Sequence, residues 1–135
     1  MKRAFRTRTL GRWMRKAGLA ERHLCQALGE MIDGLIDADL GGNVVKKRVA
    51  LPGKGKRGGA RIIVATRLED RWFVIFGFGK NERDDIGKDE LKALRELAAD
   101  LLALDDRKLA IALRAGEITE ICHGGAQEPN PWRGP

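Results

Sequence analysis

Paired histidines, clustered cysteines and long apolar runs are all missing from this 135-residue chain, and each absence removes a class of chemistry. Only His23 and His123 occur, one in the first fifth of the chain and one near its end, so a paired-histidine nuclease mechanism is excluded. Cys25 and Cys122 form no CxxC and have no histidine at ligand spacing. Cys25 falls on the apolar face of an expected helix, and both thiols are expected to act as small packing residues. The acidic pairs Asp37/Asp39 and Asp84/Asp85 have no histidine partner, so neither a metal site nor any other cofactor is expected. No run of 18 apolar residues exists, and Met1-Lys2-Arg3 leads into more charge rather than an apolar signal core. These features predict a cytoplasmic protein with no membrane partner.

One further absence is local. The 25 residues from Asn43 to Arg67 contain eight cations and no anion. Here β-branched residues flank a glycine-rich basic stretch, a pattern that predicts two strands presenting Lys and Arg to a polyanion. The asymmetry extends further: residues 1–67 carry 16 Lys/Arg against 5 Asp/Glu, while residues 68–135 carry 10 against 14. The net +7 therefore conceals a strongly basic half, which concentrates phosphates and makes their binding salt-dependent.

The length suits one domain, and 43% apolar residues suffice for a core. Thr9 is placed to cap a short helix ended by Gly18, and a second helix is expected over 20–36 from the spacing of Leu24, Leu28, Ile32, Leu35 and Ile36. Strands are expected at 44–50, 60–66 and 71–78, the last two joined as a hairpin through Leu68-Glu69-Asp70. Between the first two strands, 51–59 reads as an exposed loop. Helical periodicity returns with Leu91, Leu94, Leu97, Ala98, Leu101 and Leu102. Asp105 can cap a last helix ended by Gly116, and 117–121 suits an edge strand. The expectation is α+β: a small antiparallel sheet packed with N-terminal and C-terminal helices, forming a domain over 1–122 with a disordered tail at 123–135.

The basic segment Gly53-Lys54-Gly55-Lys56-Arg57-Gly58-Gly59 is not a nucleotide-binding loop, because no Gly-Lys-Ser/Thr ends it and no helix follows. Its glycines admit phosphate oxygens to the backbone while Lys and Arg supply charge, which suits a nucleic-acid backbone. The hairpin topology would bring Lys54, Lys56, Arg61, Lys80 and Arg83 onto one concave surface. Trp72, Phe73, Phe76 and Phe78 could stack on bases, but alternation in a half-buried strand sends some of them into the core.

Four segments together resemble a known family: GLIDADLG at 34–41, VKKRVA at 45–50, PGKGKRGGAR at 52–61 and GFGKNERDDI at 77–86. They are similar to the RelE/HigB-like toxins of bacterial type II toxin–antitoxin systems, over about residues 4–122. The resemblance implies a compact microbial-ribonuclease-like toxin, an mRNA interferase that enters the ribosomal A site and cleaves mRNA by metal-free attack of a ribose 2′-OH on the adjacent phosphate. It also implies a cognate antitoxin as partner. The family's loop lysines correspond to Lys54 and Lys56, its strand arginine to Arg61, and its GK-x-ER segment to Lys80 and Arg83. Two positions depart from the pattern: an arginine of the family falls on Asn81, and a base-stacking tyrosine falls on Gly87, in a chain without any Tyr.

On this reading Lys54, Lys56, Arg61 and Arg83 are the catalytic candidates, and Lys46, Lys47, Arg48, Arg57 and Lys80 hold RNA or ribosome. Two alternatives use the same scaffold: a ParE-like inhibitor of DNA gyrase, and a non-catalytic nucleic-acid-binding protein.

Overall fold

The computed structural model describes residues 2–51, 53 and 55–123, with backbone only for 55–57. Six strands form one sheet: β1 (Arg3–Thr7), β2 (Ala38–Asp39), β3 (Val44–Leu51), β4 (Gly55–Thr66), β5 (Arg71–Gly79) and β6 (Ile118–Ile121). Four helices accompany it: α1 (Arg8–Ala17), α2 (Glu21–Ile32), α3 (Lys88–Leu102) and α4 (Asp106–Arg114). The strand order is β2-β3-β4-β5-β1-β6. The expected α+β class is the class observed.

The sheet is mixed rather than purely antiparallel, because β1 runs parallel to β5 between the β5 and β6 strands. This strand escaped the sequence reading: Arg-Ala-Phe-Arg-Thr carries charge at two of five positions, and only Ala4 and Phe5 are buried. A parallel partner must arrive by a long crossover, here everything from α1 to β4.

Both faces of the sheet are covered. Ile62, Val64, Trp72 and Val74 point to α1 and α2, with Leu10, Leu24 and Leu28 completing that layer. Ile63, Ala65, Phe73 and Phe5 point to α3 and α4, meeting Leu94, Ala98 and Leu109. Strand β4 is consequently buried on both sides, which explains its continuous apolar run at 62–65.

Helix ends follow local chemistry. Thr7, not the expected Thr9, accepts the Leu10 N–H at 3.2 Å and starts α1, and Gly18 stops it in the left-handed conformation at φ 70°. Helix α2 ends at Ile32, four residues before its apolar periodicity does, because Gly34 turns left-handed (φ 91°) and Leu35 stays exposed. Asp105 caps α4 as expected, accepting from Lys108 N–H at 2.8 Å. The segment expected as a loop over 51–59 is mostly strand: Leu51 ends β3 and pairs with Gly55, where β4 begins. Backbone ladder bonds need no apolar side chains, and a glycine- and lysine-rich sequence hides them. Of the tail expected at 123–135, all but His123 lies outside the described residues.

The cysteines depart most from expectation. Cys25 on α2 and Cys122 just after β6 are both buried, but they are joined as a disulfide across a separation of 97 residues, with Cα atoms 5.5 Å apart. Chain folding brings together what spacing did not reveal. A cross-link over so long a loop constrains the unfolded chain, and its reduction should lower stability by about 2–4 kcal/mol. Alkylation of unfolded, unreduced protein should modify no thiol, and urea unfolding should show an earlier midpoint after reduction. Two alkylated cysteines, or coincident curves, would contradict the pairing.

Candidate functional site

Antiparallel register sorts the basic residues between the two faces. Directly opposed residues share a face, and β3, β4 and β5 place Arg48, Arg61 and Phe78 in one row and Lys46, Ile63 and Phe76 in the next. Lys46, Arg48 and Arg61 therefore share the face that carries α3. Lys47 does not. Alternation turns it to the α2 face, where it is only 4% exposed and its Nζ lies 2.8 Å from Glu30. This corrects the expectation that Lys47 holds RNA: one step along a strand reverses the side chain.

The β4–β5 ladder carries a bulge. Ile63 pairs with Phe76 and Val64 with Val74, leaving Ile75 as the additional residue. Phe73 and Ile75 already face α3 and α4, so simple alternation would send Phe76 and Phe78 to the other side; the bulge instead brings them onto the face of Arg61.

The turn after β5 folds over this face. Gly79 O accepts from Glu82 N–H at 3.0 Å, and Lys80 N–H donates to Gly59 O at 3.1 Å, holding the turn against β4. Arg83 then lies over Phe76 and Phe78, its guanidinium carbon 5.2 and 5.5 Å from the ring centroids. Its two terminal nitrogens donate to Glu90 at 2.8 and 2.6 Å. The partner is neither Glu82 nor an adjacent aspartate but a first-turn residue of α3, which also accepts the Gly87 N–H at 2.9 Å. The position that carries tyrosine in the family pattern is thus the N-cap of α3.

Asp85 closes the arrangement from below. Its carboxylate meets Lys46 Nζ at 3.2 Å, while Arg48 Nε lies 3.1 Å from Asp37. Burial works to raise the Asp85 pKa, but hydrogen bonds from the Ile86 N–H and Lys46, with the charges of Lys46 and Arg61, outweigh it and hold the group below its ordinary value. Glu90 is likewise held low, first by its hydrogen bonds from Arg83 and then by the Gly87 N–H. The same hydrogen bond raises Arg83, which stays charged throughout the accessible pH range.

Arg61 is the deepest cation of the group at 8% exposure, and one guanidinium nitrogen donates to Ala60 O at 3.2 Å. Arg61, Arg83, Lys46 and Arg48 are thus brought to one end of one sheet face, and exposed Lys80 stands at the adjoining turn. Lys54 falls outside the described residues, as do the side chains of Lys56 and Arg57; the latter two occupy the β4 backbone just ahead of Arg61. His23 is local in role, its Nδ1 accepting the Ala20 N–H at 2.9 Å. Among the described residues no group of His, Cys, Asp and Glu is arranged to hold a metal ion.

Sequence reading missed the acidic half of the site. Glu90 and Asp37 supply counter-charges from α3 and the segment before β2. Glu90 had a usable signal, since a Glu three residues after an N-cap reaches back to it. Trp13 of α1 was also missed: its indole N–H donates to Glu82 at 3.3 Å, and the same carboxylate oxygen accepts the Gly79 N–H at 2.9 Å.

A mixed sheet flanked by helices, with cations gathered at one end of one face, defines a basic α+β protein suited to a polyanion. The family described as the RelE toxin of the RelE / RelB toxin–antitoxin system matches residues 2–121, and the chain belongs to that family. It is a toxin of a toxin–antitoxin system, and its family implies a cognate antitoxin as partner. No helix among the described residues is long and apolar enough to cross a membrane.

The carboxylate shifts have a pH consequence. A depressed folded-state pKa contributes stability that is present above the ordinary carboxylate range and is lost as pH falls through the folded value. Asp85 and Glu90 should therefore lose their contribution on acidification below about pH 4. Thermal melts from pH 7 to pH 3 should fall on the acid side, and Glu90→Gln should flatten part of that fall. An acid limb unchanged in Glu90→Gln would contradict the Arg83–Glu90 assignment.

Proposed function

We propose that this toxin is a ribosome-dependent mRNA endoribonuclease that inhibits translation, controlled by an acidic segment of its antitoxin covering the basic face. The observation that supports it best is that Arg61 pairs with Phe78 across the β4–β5 ladder while Arg83 lies over the same ring, so that one aromatic has an arginine from β4 and another from the turn after β5 as neighbours. Each offers a planar fork that matches phosphate oxygens, and the ring beneath Arg83 lowers the local dielectric.

The reaction is attack of a ribose 2′-oxygen on the adjacent phosphorus, forming a 2′,3′-cyclic phosphate as the bond to the 5′-oxygen breaks. A base must take the 2′ proton. Lys54 or Lys56, which the family pattern puts in this role, serves. Arg61 and Arg83 stabilise the additional negative charge on the phosphorane-like transition state. A proton then reaches the leaving 5′-oxygen from Lys80 or water. Arg83 must exchange Glu90 for phosphate as substrate enters, so Glu90 holds the guanidinium in plane beforehand. Lys46, Arg48 and Arg57 hold the RNA or ribosomal RNA backbone.

Chemistry and positioning separate by experiment. Arg61→Ala should slow single-turnover cleavage on programmed ribosomes by about 10²- to 10³-fold, and Arg61→Lys should restore little because a point charge lacks the fork. Lys46→Ala should weaken ribosome affinity while leaving single-turnover cleavage at saturation within roughly tenfold. Cleavage by Arg61→Ala at the parent rate, with the fold intact, would remove Arg61 from the reaction.

A further inference from the structure

Strand β1 pairs with β5 only through 71–74; beyond Thr7 the chain turns into α1, which lies against the rest of β5. At that edge is a pocket of about 250 Å³, with Thr9 and Trp13 on the α1 side and Phe76, Phe78, Glu82 and Arg83 on the other. It borders the proposed phosphate site, sharing Phe78 and Arg83 with it, yet the phosphate site makes no use of Thr9 or Trp13.

Trp13 is built in with unusual constraint for a partly exposed side chain. Its six-membered ring sits against Gly77, where an added Cβ would come within 2.5 Å of Cζ3. Its N–H is held by Glu82, whose carboxylate is itself anchored on Gly79, and a Cβ at Gly79 would come within 2.9 Å of that carboxylate. Two glycines on alternate positions of β5 thus make room for one indole and the carboxylate that orients it. A hydrophobic contact alone would need neither the hydrogen bond nor the second glycine.

We infer that this pocket binds an unpaired nucleobase of single-stranded RNA, with the Trp13 indole as its stacking platform. The inference rests on the RNA-cleaving reading above and supplies the aromatic group missing at Gly87. The chemistry of the walls selects such a ligand. The indole, the partly exposed Phe76 ring and the Arg83 guanidinium plane offer π and cation–π surface to a flat heterocycle, with buried Phe78 as the floor, while the Thr9 hydroxyl and the Glu82 carboxylate suit its polar edge. The volume is below that of drug-sized ligand sites, about the scale of a single ring system. The adjoining cations hold the phosphate to which the base is attached.

The test uses the full chain and a 2′-O-methylated RNA trinucleotide, which binds but cannot be cleaved, beside the same backbone without bases. Parent protein should prefer the base-bearing form. Trp13→Ala should weaken its binding by about tenfold or more, as for loss of one stacked base, and Trp13→Phe should recover most of it. Neither change should alter binding of the abasic backbone. Gly77→Ala, which displaces the indole without removing it, should reproduce the Trp13→Ala result, with far-UV circular dichroism confirming the fold. Equal weakening of both ligands by Trp13→Ala, or equal affinity of the parent for both, overturns the pocket assignment. Since no bond is cut in this assay, the pocket can fail while ribosomal cleavage stands, and cleavage can fail while the pocket stands.

Discussion

The additional residue at Ile75 in the β4–β5 ladder is the constraint on which the functional end of the sheet depends. Upstream of it, Trp72 and Val74 face one helical layer and Phe73 faces the other. Downstream, Phe76 and Phe78 join the face of Arg61, and Gly77 shares the opposite face with Ile62, its partner on β4. Arg83 acquires its aromatic bed and Trp13 acquires its seat from this single irregularity. A bulge costs ladder bonds and is retained where it re-aims side chains. The consequence here is specific: one strand supplies a cation platform on one side and a gap for an indole on the other.

Electrostatics at this end is less one-sided than the charge count suggests. The stretch 43–67 has no anion of its own, yet Lys46, Lys47 and Arg48 each meet a carboxylate contributed from elsewhere, Asp85, Glu30 and Asp37. Arg83 meets Glu90. The half-exposed pairs add little to stability. Their effect is orientation: each cation is held in one geometry by its carboxylate, and under the proposed function a phosphate would replace one carboxylate rather than order a loose side chain. Lys47 differs, because it is buried with its partner and serves the α2–β3 packing.

Much of the fold was legible in the sequence. Leucine spacing revealed α3, Asp105 and Gly116 bracketed α4, and β-branched residues marked β3, the apolar part of β4, and β5. What stayed hidden is non-local. Strand β1 looks like a charged leader until β5 is beside it; the start of β4 is written in backbone bonds between glycines and lysines; the Cys25–Cys122 pairing depends on β6 ending against α2. Of the candidate site, the placement of Arg61 and Arg83 on one sheet face was legible in residue type and family pattern. The site was not legible in facing, as with Lys47, nor in counter-charge, as with Glu90. A bulge shifts strand parity by one, and no count of alternating residues in β5 alone reveals where that happens.

The family shows a toxin, and one sheet face carries Arg61 and Arg83 beside Phe78; the proposal that joins them is that the chain cuts mRNA on ribosomes. Inducing it in cells without antitoxin and mapping new RNA 5′ ends tests that claim most directly. The account predicts cuts within coding sequences, phased with the reading frame and lost when translation initiation is blocked. A DNA damage response without new 5′ ends, or cuts indifferent to reading frame and translation, would contradict it.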